Sequence, residues 1–167
     1  GNYIALNFDE TMTDILAFMY LLKGMDTDQV TEYRRFIEFE AMKLAVVRAD
    51  QGQKKQIMNE LSGLEGAADE KERIACDRAI HRILVESSKN DFLITSYAGL
   101  ANLMDRYIQS MRHNIIAGMQ SQNMLEQTHR MLAEAVAEGN LEKGLAGLDA
   151  HFGYIERYKD GGGVQNC

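Results

Sequence analysis

The chain has 167 residues, a formal net charge of -7, and 46% hydrophobic and 26% charged residues, a composition typical of one globular domain with a substantial core. The acidic balance and the lack of a basic stripe exclude this polypeptide as one that grips a nucleic-acid backbone by itself. No apolar run reaches the roughly 20 residues of a membrane span, two cysteines are too few for a disulfide scaffold, and a cytoplasmic location is expected.

Helices are predicted along nearly the whole chain, because it has no proline and few β-branched runs. Residues 1–8 are expected to form a short extended piece and a connection, and a glycine-rich tail is expected at residues 161–167. The predicted helices cover residues 10–23, 28–50, 53–61, 69–88, 90–117, 122–138 and 141–158, with a connection at 62–66. The predicted fold is an all-α antiparallel bundle of about six to seven helices.

An aspartate and a histidine lie four residues apart in one predicted helix, Asp77 and His81. This spacing puts both side chains on one face, one turn apart. The face is the inward one, since Ile74, Leu84 and Val85 lie on the same stripe. Taken alone, the pair is more typical of a core histidine hydrogen-bonded to a helix neighbour than of a binding site.

Two further histidines, His129 and His151, lie on apolar stripes of two other predicted helices. Their apolar neighbours at helical spacing are Leu125, Leu132 and Val136 for the first and Leu148, Ile155 and Tyr158 for the second. Three histidines and an aspartate on inward stripes are costly to bury unless they share a partner. A divalent metal ion suits imidazole and carboxylate groups, with zinc or nickel favoured and manganese, iron or cobalt also open. The predicted metal ligands are Asp77, His81, His129 and His151.

The remaining histidine patterns limit this prediction. His113 falls on the polar side of its predicted helix and should be exposed and uninvolved. Glu126 and His129 form half of the carboxylate-bridged di-iron signature of helical bundles. No other histidine has a glutamate three residues before it, so the di-iron interpretation is discounted.

Arg34 lies four residues before Glu38 and allows two interpretations. The pair could be a surface ion pair that contributes little. Arg34 could instead point into the protein and bind a carboxylate with its planar guanidinium group.

The order of these residues is similar to that of a known family. The motifs are Arg34-x-x-x-Glu38, Asp77-x-x-x-His81, Ser87-x-x-Asn90, His129 and, twenty-two residues later, His151. From about Asp9 to Tyr158 the chain resembles the C-terminal effector (FCD) domain of FadR-type regulators in the GntR family. The resemblance implies a metal ion held by the aspartate and the three histidines at the floor of a central cavity. It also implies that small organic acids bind there and alter DNA affinity, and that Arg34 contacts the effector.

The resemblance also implies how the chain is organised. Residues 1–8 look like the end of a winged-helix wing and a linker, residues 9–160 like the ligand-binding and dimerisation domain, and 161–167 like a flexible tail. Operator DNA would then be contacted only through an N-terminal domain that this sequence lacks, and a homodimer is expected. Two sites depart from the family pattern: Ile80 stands where an aromatic residue is common, and Gln127-Thr128 where an acidic residue is often found.

The resulting hypothesis is a metal-dependent sensor of a small carboxylate metabolite, acting as the dimerisation domain of a bacterial transcriptional regulator and not as an enzyme. One alternative is a metalloenzyme whose three histidines and aspartate activate water, with Glu38, Glu126 or Asp149 as the acid or base. Another alternative is a structural dimerisation module without an effector.

Overall fold

The computed structural model describes residues 27–101 and 123–158, with isolated positions at 11, 14, 15, 18, 19, 22 and 113. Its helices are α1 (Thr27–Arg48), α2 (Gln51–Gly66), α3 (Glu70–Ser87), α4 (described over residues 91–101), α5 (Asn123–Glu138) and α6 (Leu141–Tyr158). The described residues contain no strand, and the all-α prediction is confirmed. The expected wing segment at 1–8 and the tail at 161–167 lie outside them, as does most of the first predicted helix. None of the described helices is long and apolar enough to cross a membrane.

Helix α1 is central, as its broad apolar face predicts. It packs against α3, α5 and α6, while α3 also packs against α2 and α5. The α1 residues Ile37, Ala41, Met42 and Ala45 are almost completely buried in the hydrophobic core. The helices therefore bury their apolar faces in one shared core. The predicted metal ligands are buried in the same interior.

Helix α2 is longer than the sequence predicted. The prediction ended it near residue 61 and made residues 62–66 a connection, whereas the helix continues to Gly66. Its buried residues Ile57, Leu61 and Leu64 continue a stripe that packs against α3. A Cβ atom at Gly63 would lie 2.9 Å from the Sγ atom of Cys76 on α3. Packing against α3 therefore outweighs the helix-breaking preference of glycine, which is about 1 kcal/mol.

A two-residue turn joins α5 to α6, as predicted. Gly139 has a φ of +74°, a left-handed conformation that favours glycine. The Asn140 amide donates to the carbonyl of Ala135, which closes the end of α5. The Asn140 side chain then accepts from the Lys143 amide, which caps the start of α6. The short turn makes α5 and α6 antiparallel neighbours.

Glycines on α6 allow the neighbouring helices to approach closely. A Cβ atom at Gly144 would lie 2.5 Å from the Sδ atom of Met42 on α1. A Cβ atom at Gly147 would lie 2.9 Å from the Cβ atom of Met131 on α5. Both distances are too short for a real contact, so a side chain at either position would force a neighbour to move: the flexible end of Met42 at Gly144, and the Cβ atom of Met131 at Gly147.

Candidate metal centre

The structure brings the three predicted histidines together in the interior. His81 comes from α3, His129 from α5 and His151 from α6, and all three are buried. One ring nitrogen from each lies within 4.8 Å of the other two. Asp77 is next to this cluster, with its Oδ2 atom 3.2 Å from Nε2 of His129 and its Oδ1 atom 3.8 Å from Nε2 of His81. Three buried histidines at this separation could hold a metal ion.

Local helix geometry explains how distant residues meet here. Asp77 and His81 are one turn apart on α3, as their spacing predicts. His129 lies ten residues before Gly139, and His151 lies eleven residues after Asn140. Two antiparallel helices joined by this short turn therefore carry His129 and His151 at the same level of the bundle.

Glu38 on α1 orients His81. Its Oε2 atom lies 2.7 Å from Nδ1 of His81, and its Oε1 atom accepts from Nε of Arg34 at 2.5 Å. Burial by itself raises the pKa of Glu38, but the charges and hydrogen bonds of Arg34 and His81 outweigh burial and lower the pKa. The ionised carboxylate can only accept, so Nδ1 of His81 carries the hydrogen and Nε2 keeps its lone pair.

The sequence identified Glu38 as a partner of Arg34 but missed its contact with His81. A signal was present, because Glu38 lies next to Ile37 and three residues before Ala41, on the apolar side of α1. A carboxylate at that place needs an inward partner.

His129 is oriented by its own helix. Its Nδ1 atom donates to the carbonyl oxygen of Leu125 at 2.8 Å, since a carbonyl can only accept. In the neutral ring, the Nε2 lone pair is left free. Nε2 of His129 lies 3.3 Å from Nε2 of His81, so two lone pairs face each other beside the Asp77 carboxylate. This arrangement is unfavourable unless a proton or another cation lies between the atoms.

His151 contributes a buried atom without a partner. Its Nε2 atom is buried and has no hydrogen bond within the described part of the chain. Burial, followed by the neighbouring His81 and His129, holds the pKa of His151 well below its usual range. Burial also lowers the pKa of His81. The neutral imidazole is the form that binds metals.

The chemistry of the four side chains suits a divalent metal ion. Three imidazole nitrogens and one carboxylate are the donors that zinc and its transition-metal neighbours take in proteins. One cation between them would satisfy both the unpartnered Nε2 atom of His151 and the facing lone pairs of His81 and His129.

Arg34 lies inside the protein, so the interpretation of it as half of a surface ion pair is wrong. The residue is 3% exposed, its Nε atom donates to Glu38, and Tyr97 of α4 is close enough to interact with its charge. Burial by itself would lower the pKa of Arg34, but Glu38 together with Tyr97 and Asp77 outweighs burial and raises the pKa. Burial also raises the pKa of Tyr97. A guanidinium charge therefore lies in the interior near Asp77.

The other residues singled out in the sequence lie on or near the surface. His113 is exposed, as predicted. Glu126 is close to Arg73, at 3.7 Å, and the exposed Asp149 pairs with Arg35 at 2.7 Å. Both carboxylates, which were candidate acids or bases, therefore lie beside arginines and are not paired with the predicted metal ligands.

Comparisons with known proteins give one finding. The family model of the FCD domain matches residues 29–154, a range that contains all four predicted metal ligands and Arg34. Searches among curated proteins and among solved structures found no match.

Proposed function

Because the chain belongs to the FCD domain family, the effector-binding regulatory domain of GntR-type transcription regulators, we propose that it senses a small organic acid through a bound divalent metal ion. The proposed metal ligands are Asp77, His81, His129 and His151. Zinc or nickel is favoured, because both accept imidazole and carboxylate donors.

The observation that carries this proposal is the meeting of the three imidazole rings and the Asp77 carboxylate in the buried interior of the bundle. Nε2 of His81 and Nε2 of His129 are 3.3 Å apart, and an Asp77 oxygen is 3.2 Å from the latter. Nε2 of His151 has no partner within the described residues. A buried acceptor without a donor, as Nε2 of His151 is among the described residues, is costly, and a cation shared with the other two histidines would remove that cost.

A carboxylate effector is supported by the charge that surrounds these residues. When bound, the metal ion would supply positive charge and open coordination positions for an oxygen donor. Arg34 donates from its Nε atom to Glu38. A guanidinium group has five N–H donors, so Arg34 has further donors for an acidic group of the effector.

The proposed effector response is a shift between two arrangements of the bundle. Helix α1 carries Arg34 and Glu38, while the proposed metal ligands lie on α3, α5 and α6. A ligand that contacts both the metal ion and Arg34 would pull on α1 and the other helices together. In the full regulator, this shift would alter the grip of the DNA-binding domain on its operator.

A homodimer is part of the proposal, as expected for regulators that bind two-fold operators. The outer face of α1 supports a partner surface. Tyr33 and Phe36, three residues apart and therefore neighbours on one side of the helix, are 42% and 61% exposed. Exposed apolar residues grouped in this way are typical of an interface.

The metalloenzyme alternative has less support. Of its three candidate acids or bases, Glu126 lies near Arg73 and Asp149 pairs with Arg35. Glu38 is next to the histidines, but both of its oxygens are engaged by Arg34 and His81.

The first experiment measures the metal content of the purified protein after incubation with zinc or nickel. About one equivalent is expected in the wild type, and its loss is expected in Asp77→Ala and His151→Ala. His113→Ala is the matched control, because it removes an exposed imidazole and should leave the metal content unchanged. A wild-type protein that binds no metal would overturn the proposal.

A second experiment separates a sensor from its alternatives. The metal-loaded protein is screened with small carboxylic acids by thermal shift, and is assayed for hydrolase and oxygenase turnover. The proposed function predicts that one class of acid raises the melting temperature. Turnover at ordinary enzyme rates would favour the metalloenzyme, and a metal-stabilised protein that responds to no acid would favour the structural module.

A further inference from the structure

Thr128 precedes His129 in the chain, but its hydroxyl group contacts the histidine of another helix. Its Oγ1 atom lies 3.3 Å from Nδ1 of His151 on α6. The same Oγ1 atom lies 2.7 Å from the carbonyl oxygen of Leu125, one turn earlier on α5. Thr128 is buried, so both contacts are made away from solvent.

The direction of these hydrogen bonds follows from counting hydrogens. The carbonyl of Leu125 can only accept, so the single hydrogen of the Thr128 hydroxyl group is donated to it. The oxygen of Thr128 can then only accept from Nδ1 of His151. A neutral imidazole has one N–H group, so the Nε2 atom of His151 must carry the lone pair.

One backbone carbonyl therefore orients two histidines. Besides its place in the backbone hydrogen-bond ladder of α5, the oxygen of Leu125 accepts from Nδ1 of His129 at 2.8 Å and from Oγ1 of Thr128 at 2.7 Å. His129 is held directly and His151 through Thr128. In both neutral rings, the lone pair is therefore on Nε2.

We propose that Thr128 is a positioning residue that holds His151 with its Nε2 lone pair directed at the metal ion. The inference deepens the proposed function, because it rests on metal binding by His151. His81 is oriented by the carboxylate of Glu38, whereas His151 has an uncharged partner. Groups that hold a metal-binding histidine through its other nitrogen typically change metal affinity by roughly 10- to 100-fold when removed.

The test compares the full chain with Thr128→Val, which keeps the shape of the side chain without its hydroxyl group, and Thr128→Ser, which restores the hydroxyl. Thr128→Ala is a second variant without a hydroxyl, in case valine disturbs folding. Circular dichroism checks that each variant folds. Two quantities are measured: the zinc dissociation constant, by competition with a chromophoric chelator, and the ring tautomer of His151, by ¹⁵N NMR of the metal-free protein.

The wild type should show a hydrogen on Nδ1 of His151. Thr128→Val and Thr128→Ala should lose this single tautomer and bind zinc at least roughly tenfold more weakly, and Thr128→Ser should restore both properties. Variants without the hydroxyl that keep the tautomer and the affinity would overturn the role of Thr128. A wild type that binds no zinc would instead overturn the proposed function, and the NMR spectra would still decide whether Thr128 fixes the ring.

Discussion

Glu38 and His81 lie 43 residues apart in the chain and meet at 2.7 Å in the interior, carboxylate oxygen to ring nitrogen. The same carboxylate also accepts from Arg34. One completely buried glutamate therefore balances the charge of Arg34 and fixes the ring that faces the other histidines.

Glu38→Gln should lower both stability and metal affinity. Glutamine keeps the shape but removes the negative charge, which leaves the buried guanidinium of Arg34 without its counter-charge. Breaking a buried ion pair in this way costs about 3–5 kcal/mol, and zinc affinity should fall by roughly 10- to 100-fold because the support of His81 is weakened. Urea unfolding and chelator competition measure the two effects.

Glu86→Gln is the matched control for Glu38→Gln. Glu86 pairs with Arg82 with the same four-residue spacing, but on the surface of α3. Its loss should change the free energy of unfolding by less than about 1 kcal/mol and leave zinc affinity unchanged. Equal effects of the two substitutions would show that the buried pair has no special role.

Lowering the pH from about 7.5 to about 5.5 should destabilise the metal-free protein. His81 and His151 have pKa values below 6.5 in the folded state, chiefly because burial disfavours the charged ring. The unfolded state then binds protons that the folded state does not. The stability contributed by the neutral rings is complete above about pH 6.5 and is lost as the pH falls below it. Urea unfolding at both pH values, with a chelator present, measures the difference.

The pH effect should depend on which histidine is removed. His113 is exposed, so His113→Ala should keep the full difference between the two pH values. His151→Asn should reduce it, since one buried ring no longer titrates. An unchanged difference in His151→Asn would mean that other groups cause the loss in acid.

Arg34→Lys should separate effector binding from metal binding. Lysine keeps the positive charge but lacks the planar group that binds a carboxylate through two parallel hydrogen bonds. Metal content should stay at the wild-type value, and the thermal shift caused by an active carboxylic acid should be lost. Arg82→Lys, at the exposed pair with Glu86, is the control and should keep the shift. A full shift in Arg34→Lys would argue against contact between this residue and the effector.

Phe36→Glu should weaken the proposed homodimer. Phe36 is exposed on the outer face of α1, and a charge in a contact otherwise formed by apolar groups must be desolvated without a partner. The dimer dissociation constant should rise at least tenfold, or about 1.4 kcal/mol, as measured by sedimentation equilibrium. Lys55→Glu, an exposed change on α2, should leave it unchanged. A dimer that withstands Phe36→Glu would place the interface on another surface.

Helical periodicity predicted most of the fold and the meeting of the histidines, for physical reasons. A polar residue on an apolar stripe points inward whatever the details of packing, which is why His81, His129 and His151 could be grouped from the sequence. The turn at Gly139 and Asn140 was also predictable, because glycine ends a helix and asparagine begins the next.

The orienting contacts could not be predicted in the same way. Glu38 reaches His81 across 43 residues, and Thr128 reaches His151 across 23. Such pairs depend on which helices become neighbours and at what level, which spacing within one helix does not determine. The end of α2 was misplaced for a related reason. Gly63 by itself disfavours a helix, but it allows close packing of α2 against α3, and this tertiary contact cannot be read from the local sequence.

The close approach of α6 to α5 sets the distance between His129 and His151, and so would restrict the size of an ion held between them. Gly147 lies one turn before His151, and it faces Met131, two residues after His129. A methyl group at this position would lie 2.9 Å from the Cβ atom of Met131 and would force a shift between α5 and α6, whereas metal–nitrogen bond lengths tolerate only about 0.2 Å. In the proposed metal site, the lack of a side chain at Gly147 would therefore restrict which ions the neighbouring histidines can share.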